Sequence, residues 1–180
     1  MTGNSDLDLT AASTVLTSLN ASALTGKLNF SSAVDNAVVT GGSAADTLAA
    51  TATGQTLNGG AGNDTLVVTG NLATLTGGAG NDTFNVSDAT TNVNNYATIT
   101  DASAGDKIKF DIGSASFKAA KVTLGDTAVF QDYANAAITG SSANVVSWFQ
   151  YGGNTYVIEN VAHSTSFTNG SDIIVKLTGL

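Results

Sequence analysis

Asp46, Asp64 and Asp82 are equally spaced along the chain, each closing a glycine-rich hexapeptide: GGSAAD, GGAGND and GGAGND. Carboxylates presented at a fixed interval after flexible turns are hard oxygen ligands, suited to a divalent cation. The chain has no cysteine and a single histidine, His163, so the donor set points to Ca²⁺, which takes six to eight oxygens, rather than to Zn²⁺. Two carboxylates cannot fill six positions, and backbone carbonyls must supply the rest. Gly59, Gly60 and Gly62 allow backbone angles closed to other residues, which lets the carbonyls of Gly59, Gly60, Ala61 and Gly62 face neighbouring ions in alternate directions. Gly77, Gly78, Ala79 and Gly80 repeat the arrangement. In the first turn Gly41 and Ser43 hold the corresponding places, but Ala44 carries a Cβ where the other turns have glycine. The site between Asp64 and Asp82 is therefore expected to be the better formed, and the one between Asp46 and Asp64 the weaker.

Something must hold these aspartates in line. Val39, Leu48, Leu57, Leu66, Leu75, Phe84 and Val93 recur at every ninth position, which a chain 42% hydrophobic would do by chance roughly two times in a thousand in one chosen frame. A period of nine fits neither a helix nor a hairpin. It fits a parallel β-solenoid in which a three-residue strand, its central residue inward, alternates with a six-residue turn. Two nonapeptides then make one coil, and Leu48, Leu66 and Phe84 stack on one sheet while Val39, Leu57, Leu75 and Val93 stack on the facing one. Ala37, Gln55, Ala73 and Thr91 occupy the aspartate positions of the intervening turns, so only one edge carries charge. Coils stack about 4.8 Å apart. Unpaired carboxylates near that spacing repel by about 1 kcal/mol in water and more in a drier setting, which a cation between them reverses.

Composition narrows the function classes. Fourteen acidic residues against six lysines give a net charge of −8, a poor match for nucleic acid or an anionic membrane. No apolar run approaches the roughly 20 residues that span a bilayer, so membrane insertion is not expected. The first residues, MTGNSDLDLT, lack a basic region followed by an apolar one; export, if it occurs, uses no cleaved amino-terminal signal within them.

GGAGNDTLV and GGAGNDTFN resemble the nonapeptide GGxGxDxUx of the repeats-in-toxin (RTX) family, a Ca²⁺-binding β-helix repeat. The resemblance implies a parallel β-roll with calcium between successive turns, on proteins exported by type I secretion. LNASALTG, residues 19–26, resembles segments that precede calcium repeats in bacterial surface-layer (S-layer) proteins and other large exported proteins. ITDASAGDKIKF resembles the phrase that closes many RTX arrays, commonly with an aromatic where Ala102 stands. Asp101 and Asp106 in it could ligate a third ion, or be two solvated acids around a glycine turn.

The resulting expectation is an all-β chain: capping coils over 1–40, a calcium-binding β-roll over 41–95, and a small, mainly β region over 96–180. In that last region TAVFQDYANAAITG, with Val129, Tyr133 and Ala136 at helical spacing and Gly140 as its stop, predicts one short helix. NVVSWFQYGGNTYVIENV predicts a hairpin turning at Gly152, Gly153 and Asn154, and SDIIVKLTG a final strand. Trp148, Tyr151 and Tyr156 are better explained as core than as a carbohydrate platform. The hairpin and last strand resemble the carboxy-terminal region of RTX proteins, where the uncleaved export signal lies. No catalytic constellation is visible. His163 lies in the polar stretch AHSTS, and Glu159, the only glutamate, has no obvious carboxylate partner. The expected function is not enzymatic. It is a calcium-dependent structural component of a secreted, S-layer-like surface protein that meets the type I secretion machinery and could self-associate into a lattice. The alternative is the export and folding module of a type I secreted hydrolase, toxin or adhesin.

Overall fold

Short strands with alternating inward and outward side chains, joined by turns rich in Gly, Asn and Asp, stack into a parallel β-solenoid followed by an antiparallel extension. The computed structural model describes residues 2–13, 15–89, 91–110, 116–139 and 144–179. One sheet has six parallel strands: Leu7–Ser13, Leu28–Ser32, Thr47–Ala50, Thr65–Val68, Thr83–Asn85 and Lys107–Lys109. Its inward column runs Leu9, Phe30, Leu48, Leu66, Phe84, Ile108. The facing sheet begins with the parallel strands Ser18–Asn20, Val38–Thr40, Thr56–Ala61, Thr74–Ala79 and Ala97–Ile99, whose inward column runs Leu19, Val39, Leu57, Leu75, Ile99. From Phe30 to Phe84 and from Val39 to Ile99 these side chains are buried, and the two columns form one apolar core. Both sheets extend from the first coils, near Leu7 and Leu19, through the glycine turns, with one register shift between Leu9 and Ser13 in the first strand.

Two details differ from the sequence expectation. Thr56–Ala61 and Thr74–Ala79 run through twice the expected strand length, because the Gly-Gly-Ala half of each turn keeps bonding from coil to coil: the Ala61 N–H donates to the Gly42 carbonyl at 2.9 Å and the Gly62 N–H to the Ala79 carbonyl at 2.8 Å. The nine-residue ruler also ends at Phe84. Leu75 pairs with Ile99 and Phe84 with Ile108, a longer step than any earlier coil takes, so Val93 is not in the core column. The extra residues leave the stack here, and Val93 instead packs against the cluster under the helix. Thr91 is likewise not the aspartate equivalent; its hydroxyl donates to the Asp172 carbonyl at 2.8 Å, pinning this excursion to the last loop.

The last strand, Ile173–Thr178, pairs in parallel with Ala97–Ile99 and antiparallel with Asn154–Glu159, which forms a hairpin with Val145–Tyr151. Gly152 and Gly153 make the two-residue turn with φ of 56° and 76°, as the twist of a tight hairpin requires; Asn154 already belongs to the strand. The helix Phe130–Ile138 lies on the outer face of this hairpin, burying Ala134, Ala137 and Ile138 against Phe149, Tyr156, Ile158 and Ile174. Gly140, its expected stop, lies outside the described residues. Trp148 packs on the solenoid core and Tyr156 in the cluster under the helix, whereas Tyr151 is exposed at the rim. Among the described residues no helix is long and apolar enough to cross a membrane.

The opposite edge, which lacks the inward aspartates and where exposed Asp35 accepts the Thr53 N–H at 2.9 Å, has its own rule. Asn36, Gly54 and Leu72, at equivalent places in successive coils, have φ of 58°, 71° and 56°. A left-handed residue is required at each turn; glycine and asparagine tolerate it, and a leucine there is strained by about 1–2 kcal/mol. Leu72 is half exposed, so little packing offsets the strain. Leu72→Asn is therefore expected to stabilise the protein by about 0.5–1 kcal/mol in urea unfolding. A destabilised variant would show that Leu72 packs in a way its exposure hides.

Candidate metal centre

Side-chain alternation decides where the aspartates point. Each lies two positions before an inward apolar residue, Asp46 before Leu48, Asp64 before Leu66 and Asp82 before Phe84, so each turns inward and is 1% exposed. They continue a column that begins with the apolar Leu7 and Leu28, and the edge predicted from sequence is thus the rim of the core. Each carboxylate reaches back one coil. Oδ1 of Asp46 accepts the Leu28 N–H at 2.7 Å, Oδ1 of Asp64 the Asp46 N–H at 2.8 Å, and Oδ1 of Asp82 the Asp64 N–H at 2.8 Å. Asp106 extends the series, with Oδ1 on the Asp82 N–H at 2.8 Å and Oδ2 on the Ser103 N–H at 2.8 Å.

The second oxygens distinguish the turns. Oδ2 of Asp46 accepts the Gly42 N–H at 2.7 Å, whereas Oδ2 of Asp64 is buried with no hydrogen-bond partner. The difference follows Ala44. Gly60, Gly62, Gly78 and Gly80 have φ of 105°, 114°, 98° and 141°, but Gly42 and Ala44 do not have positive φ, and in that turn the Gly42 N–H comes round to the carboxylate. Oδ2 of Asp64 shares its space with a carbonyl from the next coil: a Cβ on Gly59 would strike Asp64 Oδ2 and lie 2.6 Å from the Gly77 carbonyl oxygen. One coil earlier, a Cβ on Gly41 would meet Asp46 Oδ2 and the Gly59 carbonyl. Carbonyls of Gly42, Gly60 and Gly62 face the following coil, where a Cβ on Gly60, Gly78 or Gly80 would strike them, so the directions alternate along each turn. Ser43, itself exposed in the first turn, donates its N–H to the Leu24 carbonyl at 3.0 Å.

Asp64 is electrostatically uncomfortable. Burial pushes its carboxyl up to about 6, against the Asp46 N–H that favours the ionised form, and the charges of Asp46 and Asp82 add to the rise. Asp82 is also raised, by burial and then by Asp106 and Asp101, against the Asp64 N–H. An inward carboxylate with one orphan oxygen, facing a carbonyl across a space only glycine leaves, is an arrangement a cation would satisfy. Among the described residues no three His, Cys, Asp or Glu side chains converge on a common point, so an ion here would be held by one or two carboxylates together with backbone carbonyls. The fit is best at Asp64 and poorest at Asp46, whose oxygens are both engaged.

A pH dependence follows. Because folded Asp64 holds its proton more tightly than the unfolded chain, the calcium-free protein gains stability as pH falls from about 6 towards the ordinary value of 3.8. Thermal melts in chelator should be higher at about pH 5 than at about pH 7.5. Asp8, exposed and held below its ordinary value by Thr10, acts only at lower pH and does not oppose this window. Equal melting at the two pH values would mean that Asp64 is not desolvated in solution.

Asp101 and Asp106 are not simply solvated acids. Asp101 Oδ1 accepts the Gly77 N–H at 2.9 Å and Oδ2 the Gly78 N–H at 2.8 Å. Sequence reasoning missed the neutral counterparts of the ladder. Gln55 is buried and its amide donates to the carbonyls of Ser32 at 2.9 Å and Val34 at 2.8 Å, a role its lone polar place among Ala37 and Ala73 could have suggested. Asn63 Oδ1 accepts the Asn81 N–H at 2.9 Å, a second ladder whose signal was the repeated Asn-Asp pair. Elsewhere, His163 is exposed, and Glu159 is buried in the sheet between Val146 and Ile173. No family model matches the chain, and no curated protein matches its sequence.

Proposed function

We propose that this chain is a calcium-ordered structural module of a bacterial protein exported to the cell surface. The observation that carries the reading is the buried Asp64 carboxylate, whose orphan oxygen shares a glycine-lined space with the Gly77 carbonyl. The RTX-like spelling of the turns, the S-layer-like LNASALTG phrase and the lack of a recognisable catalytic constellation in the sequence support the rest. Asp64 and Asp82, with the carbonyls of Gly60, Gly62, Gly77 and Ala79 that face one another between the two coils, are the residues to hold the principal ion, whereas the Gly59 carbonyl faces the coil of Asp46. Asp46, Gly41 and Ser43 belong to a weaker neighbouring site. Bound calcium would supply positive charge between coils that otherwise bury like charges.

In a compartment poor in calcium, desolvation of Asp64 and Asp82 and the backbone entropy of the glycine turns, about 1–2 kcal/mol per residue fixed, oppose the roll. Outside, a calcium concentration about 100 times Kd would add about 2.7 kcal/mol per site. The chain would then pass the type I secretion machinery loose, order on arrival, and take its place in a surface lattice. Circular dichroism during a calcium titration, followed by electron microscopy of the product, tests both parts. The expected result is a gain of β signal on adding calcium and ordered sheets afterwards. An identical β signal in chelator and in calcium would overturn the folding switch, and a dispersed monomer in calcium would overturn the lattice.

A further inference from the structure

The last glycine turn lacks the neighbour that the earlier ones have. Thr74–Ala79 pairs with Thr56–Ala61 along almost its whole length, from Thr74 to Ala79, but with Ala97–Ile99 only at Thr74 and Leu75. Earlier in the stack, the next coil's backbone holds the first glycine of a turn: the Gly41 N–H donates to the Asn58 carbonyl at 2.8 Å. After Ile99 the following coil leaves the ladder, and a side chain takes over. Asp101 stands in register with Gly77, two positions beyond the Leu75–Ile99 pair, and its two oxygens accept the N–H groups of Gly77 at 2.9 Å and Gly78 at 2.8 Å.

That clamp has a directional consequence. The peptide joining Gly77 to Gly78 is trans, so its N–H and C=O point to opposite sides. Holding the Gly78 N–H on the Asp101 side turns the Gly77 carbonyl the other way, onto the coil that carries Gly59 and the orphan oxygen of Asp64. We infer that Asp101 is a positioning residue for the ion site at Asp64: it aims the Gly77 carbonyl and is not itself a ligand. The inference rests on the calcium reading above and departs from the sequence expectation that Asp101 ligates a third ion. Loss of such an outer partner weakens metal affinity by about 10- to 100-fold while leaving the ligands in place.

The test is calorimetric titration of the full chain with calcium, together with Tb³⁺ luminescence lifetimes in H₂O and D₂O, which count the waters on the bound ion. Asp101→Ala should keep the wild-type number of sites, weaken one of them by about 10- to 100-fold, and add about one water to the bound Tb³⁺. Asp101→Asn, which keeps one acceptor, should recover part of the affinity and serves as the variant if alanine prevents folding. A lower melting temperature in chelator with every affinity unchanged would reduce Asp101 to a structural cap and overturn the inference. Loss of one whole site would make it a ligand and overturn it as well. A wild-type chain that binds no calcium refutes the calcium reading first, and the inference with it.

Discussion

Asp64→Asn is expected to raise the melting temperature in chelator and to remove most of the response to calcium. The substitution keeps an oxygen to accept the Asp46 N–H and replaces the orphan Oδ2 with an amide beside the Gly77 carbonyl, which it can donate to. A buried charge without a partner is exchanged for a paired neutral group, which removes a penalty of about 1–3 kcal/mol. The same change deletes a carboxylate facing both neighbouring coils, so the stabilisation of about 2.7 kcal/mol per site at about 100 times Kd should largely vanish. Scanning calorimetry of both proteins with and without calcium reads the two effects as opposite signs. A variant less stable than wild type in chelator, yet still stabilised by calcium, would show that Asp64 supports the roll by hydrogen bonding alone and that the ion lies elsewhere.

Gly78→Ala should destabilise the protein by about 2–5 kcal/mol with or without calcium, combining left-handed strain of about 1–2 kcal/mol with overpacking of about 1–3 kcal/mol. Gly78 has φ of 98°, and an added Cβ would strike the Gly60 carbonyl of the preceding coil. Backbone atoms on both sides cannot move without parting the strands. Gly125→Ala is the control, because nothing lies within 4 Å of its Cβ position and its φ is not positive. Urea unfolding of the pair should separate them by most of this difference. Similar stabilities would mean that the coils stand farther apart than the structure places them.

The solenoid was legible because its core is periodic. Leu48, Leu66 and Phe84 needed only counting to be placed on one sheet, and Val39, Leu57 and Leu75 on the other. The departure at Val93 was not legible. It falls on the ninth position, yet the excursion around it is secured by the hydrogen bond from Thr91 to Asp172, a contact far along the chain that no local pattern announces. The aspartates were found, but their orientation was not. Treating GGAGND as a turn hid that Gly-Gly-Ala continues the strand and that Asp64 keeps step with Leu66, which sends it inward. The different backbone of the first turn was foreshadowed by Ala44, whose Cβ disfavours the positive φ taken by Gly62 and Gly80. Asp101 was noticed for its charge, whereas its role depends on a missing neighbour, which only the ladder reveals.

Strand pairing sets two very different distances along the chain. Each coil meets its neighbour after a single turn of the solenoid, as Thr65 meets Thr83, but the final strand returns to Ala97–Ile99 only after the helix and the whole hairpin have intervened. Closing the longer loop carries a larger entropic cost and comes before its contacts reward it. The seam between solenoid and hairpin is therefore expected to be the slow step of folding, formed after the coils have zipped. Refolding followed by Trp148 fluorescence, a probe on the hairpin side of that seam, should lag the far-ultraviolet signal of the coils. Coincident traces would place the seam in the folding nucleus instead.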